Sequence, residues 1–239
     1  MTNIQIESTS GHRAFAQRAR LTWFAAIALL LSGCATTRLS ATGTPPGKIC
    51  STDHSQVPTT IFWTTYWRPD QKEPALREAA ALHGMETFAS GQPCLTTSRI
   101  QRLPLTSLLS EQEMLALTAS LAPESRRSII IVVRELGPMV RLGFPVLVAG
   151  GTEVMMELLV LDAPGKKAVF HTRVHWEHGG PFYLRDTANL DKDMSAALCA
   201  AFNVQETIGC SSSRKTSVTW SMESNPVRWF RPGEPALIQ

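Results

Sequence analysis

The chain contains no internal repeat, no C-x-x-C pair and, beyond its first 33 residues, no apolar run long enough to cross a membrane. Each absence excludes something. Without a repeat, a solenoid or propeller is ruled out. Without C-x-x-C spacing, the five cysteines do not read as a metal or redox motif. A strong charge of either sign is also missing, since 23 Lys+Arg against 20 Asp+Glu leave only +3. That is little for a nucleic-acid binder, which needs a basic patch to neutralise phosphates. Catalytic patterns are wanting too. Serines 211 to 213 stand in G-C-S-S-S, not in G-x-S-x-G. Gly150-Gly151 precedes an expected strand instead of a helix, so it is not a phosphate loop. No nucleophile or acid/base constellation emerges, so neither an enzyme nor a cofactor is expected.

What is present begins at the N-terminus. Arg13, Arg18 and Arg20 lead into an apolar stretch from Leu21 to Leu31. Its length of about 11 residues lies within the ~7–15 of an export signal and well short of the ~20 of a membrane span. Leu31-Ser32-Gly33-Cys34 follows, with small residues before a nucleophilic cysteine. This segment resembles the lipobox of bacterial lipoproteins. The resemblance implies cleavage after residue 33, lipidation of Cys34 and attachment to a membrane through that lipid. The leader has no Arg-Arg pair, which points to the general secretory route. Ala35 stands where an Asp would favour inner-membrane retention, so the resemblance implies the outer membrane of a diderm cell, with the domain facing the periplasm.

Removing the leader takes away Arg13, Arg18, Arg20 and Glu7. Lys+Arg then falls from 23 to 20, Asp+Glu from 20 to 19, and the net charge from +3 to +1 over 206 residues. The basic character belongs to the part removed. Four cysteines remain, Cys50, Cys94, Cys199 and Cys210. An even count in an exported chain suggests two disulfides with three possible connectivities. The favoured pairs are Cys50–Cys94 and Cys199–Cys210, because Cys199 falls away from the apolar stripe Leu190, Met194, Leu198, Ala201 and Phe202 and would be exposed enough to staple the tail.

Residues 34–60 are rich in Thr, Ser, Pro and Gly and read as a lipidated N-terminus and flexible linker. Residues 61–210 read as one α/β domain, and 211–239 as a polar, partly disordered tail with one short strand at Ser217 to Met222. Within the domain, Ile61 to Trp67 reads as a covered strand. A helix from about Ala75 to Ser90 follows Pro74 and ends at Gly91. Leu95 to Leu103 reads as a strand. Ser110 and Glu113 form a capping box that starts a helix, with Leu109 and Met114 as its staple. Ser128 to Val133 reads as a central strand. Val154 to Leu161 and Ala168 to Trp176 form a hairpin ended by Gly179-Gly180-Pro181. Leu190 to Phe202 is the last helix. The order predicts an α/β (α+β) sandwich, a mixed β-sheet with helices largely on one face.

The segment carrying Leu159, Asp162, Gly165 and Lys166, then Phe170 and Trp176, then Ala196 to Phe202, resembles a pattern of periplasmic α/β auxiliary lipoproteins. These serve ABC-type transporters, curli or exopolysaccharide secretion, or the activation of penicillin-binding proteins. The resemblance implies a non-enzymatic domain that docks an assembly, secretion or transport partner in the envelope, and it brings no catalytic residues. The exposed edges of the Ala168–Trp176 hairpin are the expected surface for strand addition. The alternative is a module binding peptidoglycan or exopolysaccharide glycan.

Two sets of residues invite a binding role. His171, Arg173 and His175 alternate onto one face of a strand, opposite Phe170, Val174 and Trp176. They would form a positive stripe for an anionic group or a glycan. A metal is not expected there, although His178 extends the pattern to H-x3-H-x2-H and Glu177 is near. Arg173 sits between the two histidines, and at ~3.3 Å per residue His171 and His175 stand roughly 13 Å apart. Trp63, Tyr66 and Trp67 could line a saccharide platform, against the simpler reading of core aromatics. His83 reads as a packed or surface histidine.

Overall fold

Strand alternation and helix caps account for most of the architecture. A computed structural model describes residues 35–43, 49, 56–103, 109–143, 148–162, 167–202, 210 and 216–221. Cys34, Cys50 and residues 222–239 lie outside them. The described residues all belong to the unit Ala35–Gln239. In chain order the elements are β1 (Thr36–Gly43), β2 (Val57–Thr65), α1 (Pro74–Ser90), β3 (Leu95–Arg102), α2 (Glu111–Leu121), β4 (Arg127–Arg141), β5 (Ala149–Asp162), β6 (Lys167–Pro181), α3 (Leu190–Ala201) and β7 (Thr216–Ser221). The strands form one sheet in the order β3-β2-β4-β5-β6-β1-β7. β3, β2 and β4 run parallel, β4-β5-β6-β1 antiparallel, and β7 parallel to β1. The sheet is therefore mixed and the class α/β, as the element order predicts.

The Ile129-to-Val133 run is completely buried because it points to two cores at once. Ile129, Ile131 and Val133 join Ile61, Trp63, Val154, Met156 and Leu158 beneath α1 and α3. Ile130 joins Phe62, Leu159 and Leu161 on the other face, beneath Met114 of α2. Among the described residues, α1 and α3 thus share a face and α2 takes the other. α2 starts at the expected capping box, in which the Ser110 N–H donates to Glu113 Oε2 (2.7 Å) and the Glu113 N–H donates to Ser110 Oγ (3.3 Å). Pro74 opens α1. Arg77 of α1 bonds Glu135 Oε1 (3.3 Å) and the Leu136 carbonyl of β4, and a Cβ on Gly137 would overlap its guanidinium.

Four expectations need correction. The stretch 34–60 is not a linker throughout. Thr36–Gly43 is an interior strand between β6 and β7, and β2 starts at Val57. Thr37, Leu39 and Ala41 face the core while the polar residues between them face out. The three strands β4, β5 and β6 run on through Gly137-Pro138, Gly150-Gly151 and Gly179-Gly180, which look like breakers in sequence. Gly151 and Gly179 pair, and a Cβ on Gly179 would lie 2.1 Å from the Gly150 carbonyl oxygen, so the missing side chains let the strands approach. The hairpin β5–β6 offers no free edge, since β4 and β1 take both sides. Finally, Cys199 of α3 is turned into the core, not exposed. Its disulfide to Cys210 forms from inside. Cys94 is also disulfide-bonded, and its expected partner Cys50 lies outside the described residues. Among the described residues, no helix is long and apolar enough to cross a membrane.

Candidate functional site

The register of β5, β6 and β1 builds a charged face on the side away from α1 and α3. Even-numbered residues of β6, including Val174 and Trp176, enter the core. The odd-numbered His171, Arg173, His175 and Glu177 project the other way, as alternation requires. Their neighbours in register are Leu159, Glu157, Met155 and Glu153 of β5. From β1, Ser40 lies opposite His175 and Arg38 opposite Glu177. The residues of the predicted stripe therefore do share a face. His178 does not, because it falls on the opposite side, where its Nδ1 lies 2.8 Å from Thr37 Oγ1.

The three stripe residues have separate roles. Arg173 Nε is 3.1 Å from Glu157 Oε1, and Arg134 Nε of β4 is 3.0 Å from the same oxygen. Glu157 is 1% exposed. Burial pushes its carboxyl up and the two arginines pull it back. Arg134 also lies over the Tyr66 ring at 5.6 Å. His171 is held neutral, because burial, with Arg173 adding to it, lowers its pKa to about 4.

His175 has the opposite environment. Its Nε2 is 2.7 Å from Glu153 Oε1 and 3.2 Å from Glu177 Oε1. The N–H axis is aligned with neither oxygen, so the contacts are ion pairs without hydrogen-bond geometry. Glu153 first and Glu177 second raise the imidazole to about 9, against the cost of burial. In return the imidazolium, with Arg141 behind it, holds Glu177 down to about 2. Arg141 forms a close ion pair with Glu177. Glu153, His175 and Glu177 offer three ligand atoms within 4.8 Å of one another, a set a divalent cation could share. Arg141 already occupies Glu177, and the charges balance as a protonated imidazole between carboxylates.

A cavity of about 230 Å³ opens beside this group, lined by Arg38, Ser40, His175, Glu177, Ser217 and Thr219. Three strands contribute to it, and among the described residues no helix packs over it. The hydroxyls of Ser40, Ser217 and Thr219 donate and accept, while Arg38 and His175 carry positive charge. Sequence reasoning found His175 but missed Glu153, Arg38 and the β7 hydroxyls. Only strand register places them together, and nothing in the order of residues states it.

The aromatic candidates are divided. Trp63 is in the core with Arg102 over its ring at 5.4 Å, and Trp67 packs against the same core. Tyr66 is half-exposed on the other side. They form no shared platform. His83 lies on the surface of α1, 3.0 Å from Asp191 of α3. Cys34, the lipidation candidate, lies outside the described residues.

No known protein family matches the chain, and no curated protein matches it. Among solved structures, it is similar to a PelC variant dodecamer from Paraburkholderia phytofirmans, with 11% identity over 70% of this chain and 95% of that one, at a TM-score of 0.38. A second PelC dodecamer from the same organism gives 14% identity over 69% and 97%, at 0.35. A DUF330 protein from Xanthomonas campestris gives 13% identity over 69% and 89%, at 0.31.

Proposed function

We propose that the chain is an envelope lipoprotein, acylated on Cys34, whose domain performs no catalysis and docks a protein partner of an assembly, secretion or transport complex. The observation that carries the docking surface is the charged face on β1, β5, β6 and β7. Its side chains stand on strands that are paired on both sides, apart from β7 at the sheet edge. Such a face is rigid before contact, so little ordering cost is added on binding. Its charges alternate in sign, from Arg38 and Arg173 to Glu153 and Glu177, which favours a partner of complementary pattern over a uniformly charged polymer.

A second reading is the glycan module. The cavity beside His175 favours it, because serine and threonine hydroxyls with an arginine suit sugar hydroxyls and an acidic substituent. One experiment separates the two. A photo-crosslinking residue replaces Thr219 in cells, and the envelope is irradiated and fractionated. Discrete protein adducts support docking. Sedimentation of the chain with purified sacculi, without protein adducts, supports the glycan reading. Neither result would leave the face without a partner and overturn both.

A further inference from the structure

Among the described residues, the four most exposed of the large apolar side chains are not on the charged face. Val140 (60% exposed), Leu142 (80%), Phe182 (58%) and Leu184 (69%) gather at one end of the sheet. The register shows why they are close. Val140 pairs with Gly150, and Gly150 has no side chain to cover it. Leu184 fills that space, with Cδ2 3.3 Å from where a Cβ on Gly150 would stand. Leu142 leaves β4 and Phe182 leaves β6 at this same end. The Phe182 N–H donates to the Val148 carbonyl (3.0 Å). Phe182 adopts φ 56°, a left-handed conformation that a bulky residue rarely takes. The chain thus holds an aromatic ring outward at a conformational cost instead of folding it in.

β1 begins at this end too. Thr36 pairs with Gly179, three residues before Phe182. In the sequence only Ala35 separates Thr36, the first residue of β1, from Cys34. A lipid on Cys34 would therefore be tethered to the start of β1 through a single residue. We infer that Val140, Leu142, Phe182 and Leu184 form a membrane seat that lays this end of the sheet on the lipid surface to which Cys34 is anchored. The inference rests on the lipid-anchor reading for its direction, and the seat itself rests on the side chains.

A bilayer is the occupant that the tether delivers. Acyl chains entering the membrane at this end bring the four apolar side chains to the interface without any further partner. Seating would also fix the orientation of the domain, standing the strands up from the membrane and turning the charged face sideways to the periplasm.

The test uses the full chain, processed in cells and reconstituted into phosphatidylethanolamine/phosphatidylglycerol vesicles that contain a phosphatidylcholine with a diazirine in its acyl chain. After irradiation, adducts are mapped by mass spectrometry. Adducts on the peptides holding Val140–Leu142 and Phe182–Leu184, with Val169 at the other end of β6 unlabelled, support the seat. A Leu142→Asp/Phe182→Asp chain should lose most of the labelling at Val140 and Leu184 while its N-terminal peptide keeps the same mass. Labelling confined to the N-terminal peptide, or spread equally to Val169, overturns the seat. The mass of the N-terminal peptide reports acylation separately. An unacylated Cys34 with a labelled apolar end sinks the anchor alone, whereas an acylated Cys34 with an unlabelled end sinks the seat alone.

Discussion

His171 and His175 stand four residues apart on one strand face, yet their protons are held with opposite strength. His175 faces Glu153 of β5 and Glu177 of its own strand, with Arg38 of β1 lining the same cavity and Arg141 of β4 bound to Glu177. His171 is buried beside Arg173, and both keep its proton off. In a histidine-resolved NMR titration His175 is expected to titrate near 9 and His171 near 4, and two coincident midpoints near 6.5 would sink this assignment. The stability consequence follows from linkage. His175 is raised above its ordinary 6.5, so its contribution is complete below 6.5 and fades as pH rises through about 9. Glu177 is depressed below its ordinary 4.5, so its contribution is complete above 4.5 and fades as pH falls through about 2. The ion group is therefore at full strength between 4.5 and 6.5. His171 acts the other way, favouring the folded state above 6.5 and withdrawing that as pH falls toward 4. The difference in urea midpoint between the wild-type chain and His175→Gln should be widest between 4.5 and 6.5 and close above 9; a difference independent of pH would count against the pairing. Alternation alone was enough to put His171, Arg173 and His175 on one face. It could not say that Arg173 answers to Glu157 or that Glu153 completes the His175 group, because those contacts depend on which residue of β5 lies opposite.

The elements were legible where composition and period agreed. The β-branched run Ile129 to Val133, the Ser110 capping box and the Pro74-to-Gly91 helix all lie where the residues place them. β1 was hidden because Leu39 is its single large apolar residue and its flanks are Thr, Ser and Gly, which is also the composition of a linker. What makes it a strand is a slot between β6 and β7, a tertiary feature. The strand interpretation has a direct consequence. Leu39 is 1% exposed, so Leu39→Ala should remove about 2–5 kcal/mol of stability, as for other buried leucines, visible as a lower urea midpoint. A change at a linker position would stay within about 0.5 kcal/mol, and that result would return residues 36–43 to linker status. The lengths of β5 and β6 were hidden for a different reason. Paired glycines read as turn residues, whereas Gly151 and Gly179 serve to bring two backbones together. Gly179→Val would place a side chain against the Gly150 carbonyl and should separate the ends of β5 and β6.

At the scale of the molecule, the first and last strands of the described residues pair with each other. β1, from the N-terminal side, is held between β6 and β7, and β7 comes from the C-terminal side. These pairings close only after nearly the whole chain is present, so the sheet depends on something that brings residues 216–221 back to β1. The Cys199–Cys210 disulfide is expected to do this. It fastens the segment after α3 to the core and leaves only residues 211–215 between the fastening and β7. The bond closes a loop with a sequence separation of 11, and a loop of that size stabilises by about 2–3 kcal/mol in the chain-entropy account. Cys199→Ala/Cys210→Ala should therefore lower the unfolding free energy by that amount, seen as a lower urea midpoint, with the other disulfide left intact as an internal control. The loss should also be uneven. Amide exchange should accelerate most in residues 216–221, next in Thr36–Gly43, and least in Ile129–Val133, because the last are held by β2 and β5 on either side without help from the tail. Uniform acceleration across all three strands would mean that the disulfide stabilises the domain as a whole and has no particular part in delivering β7 to β1.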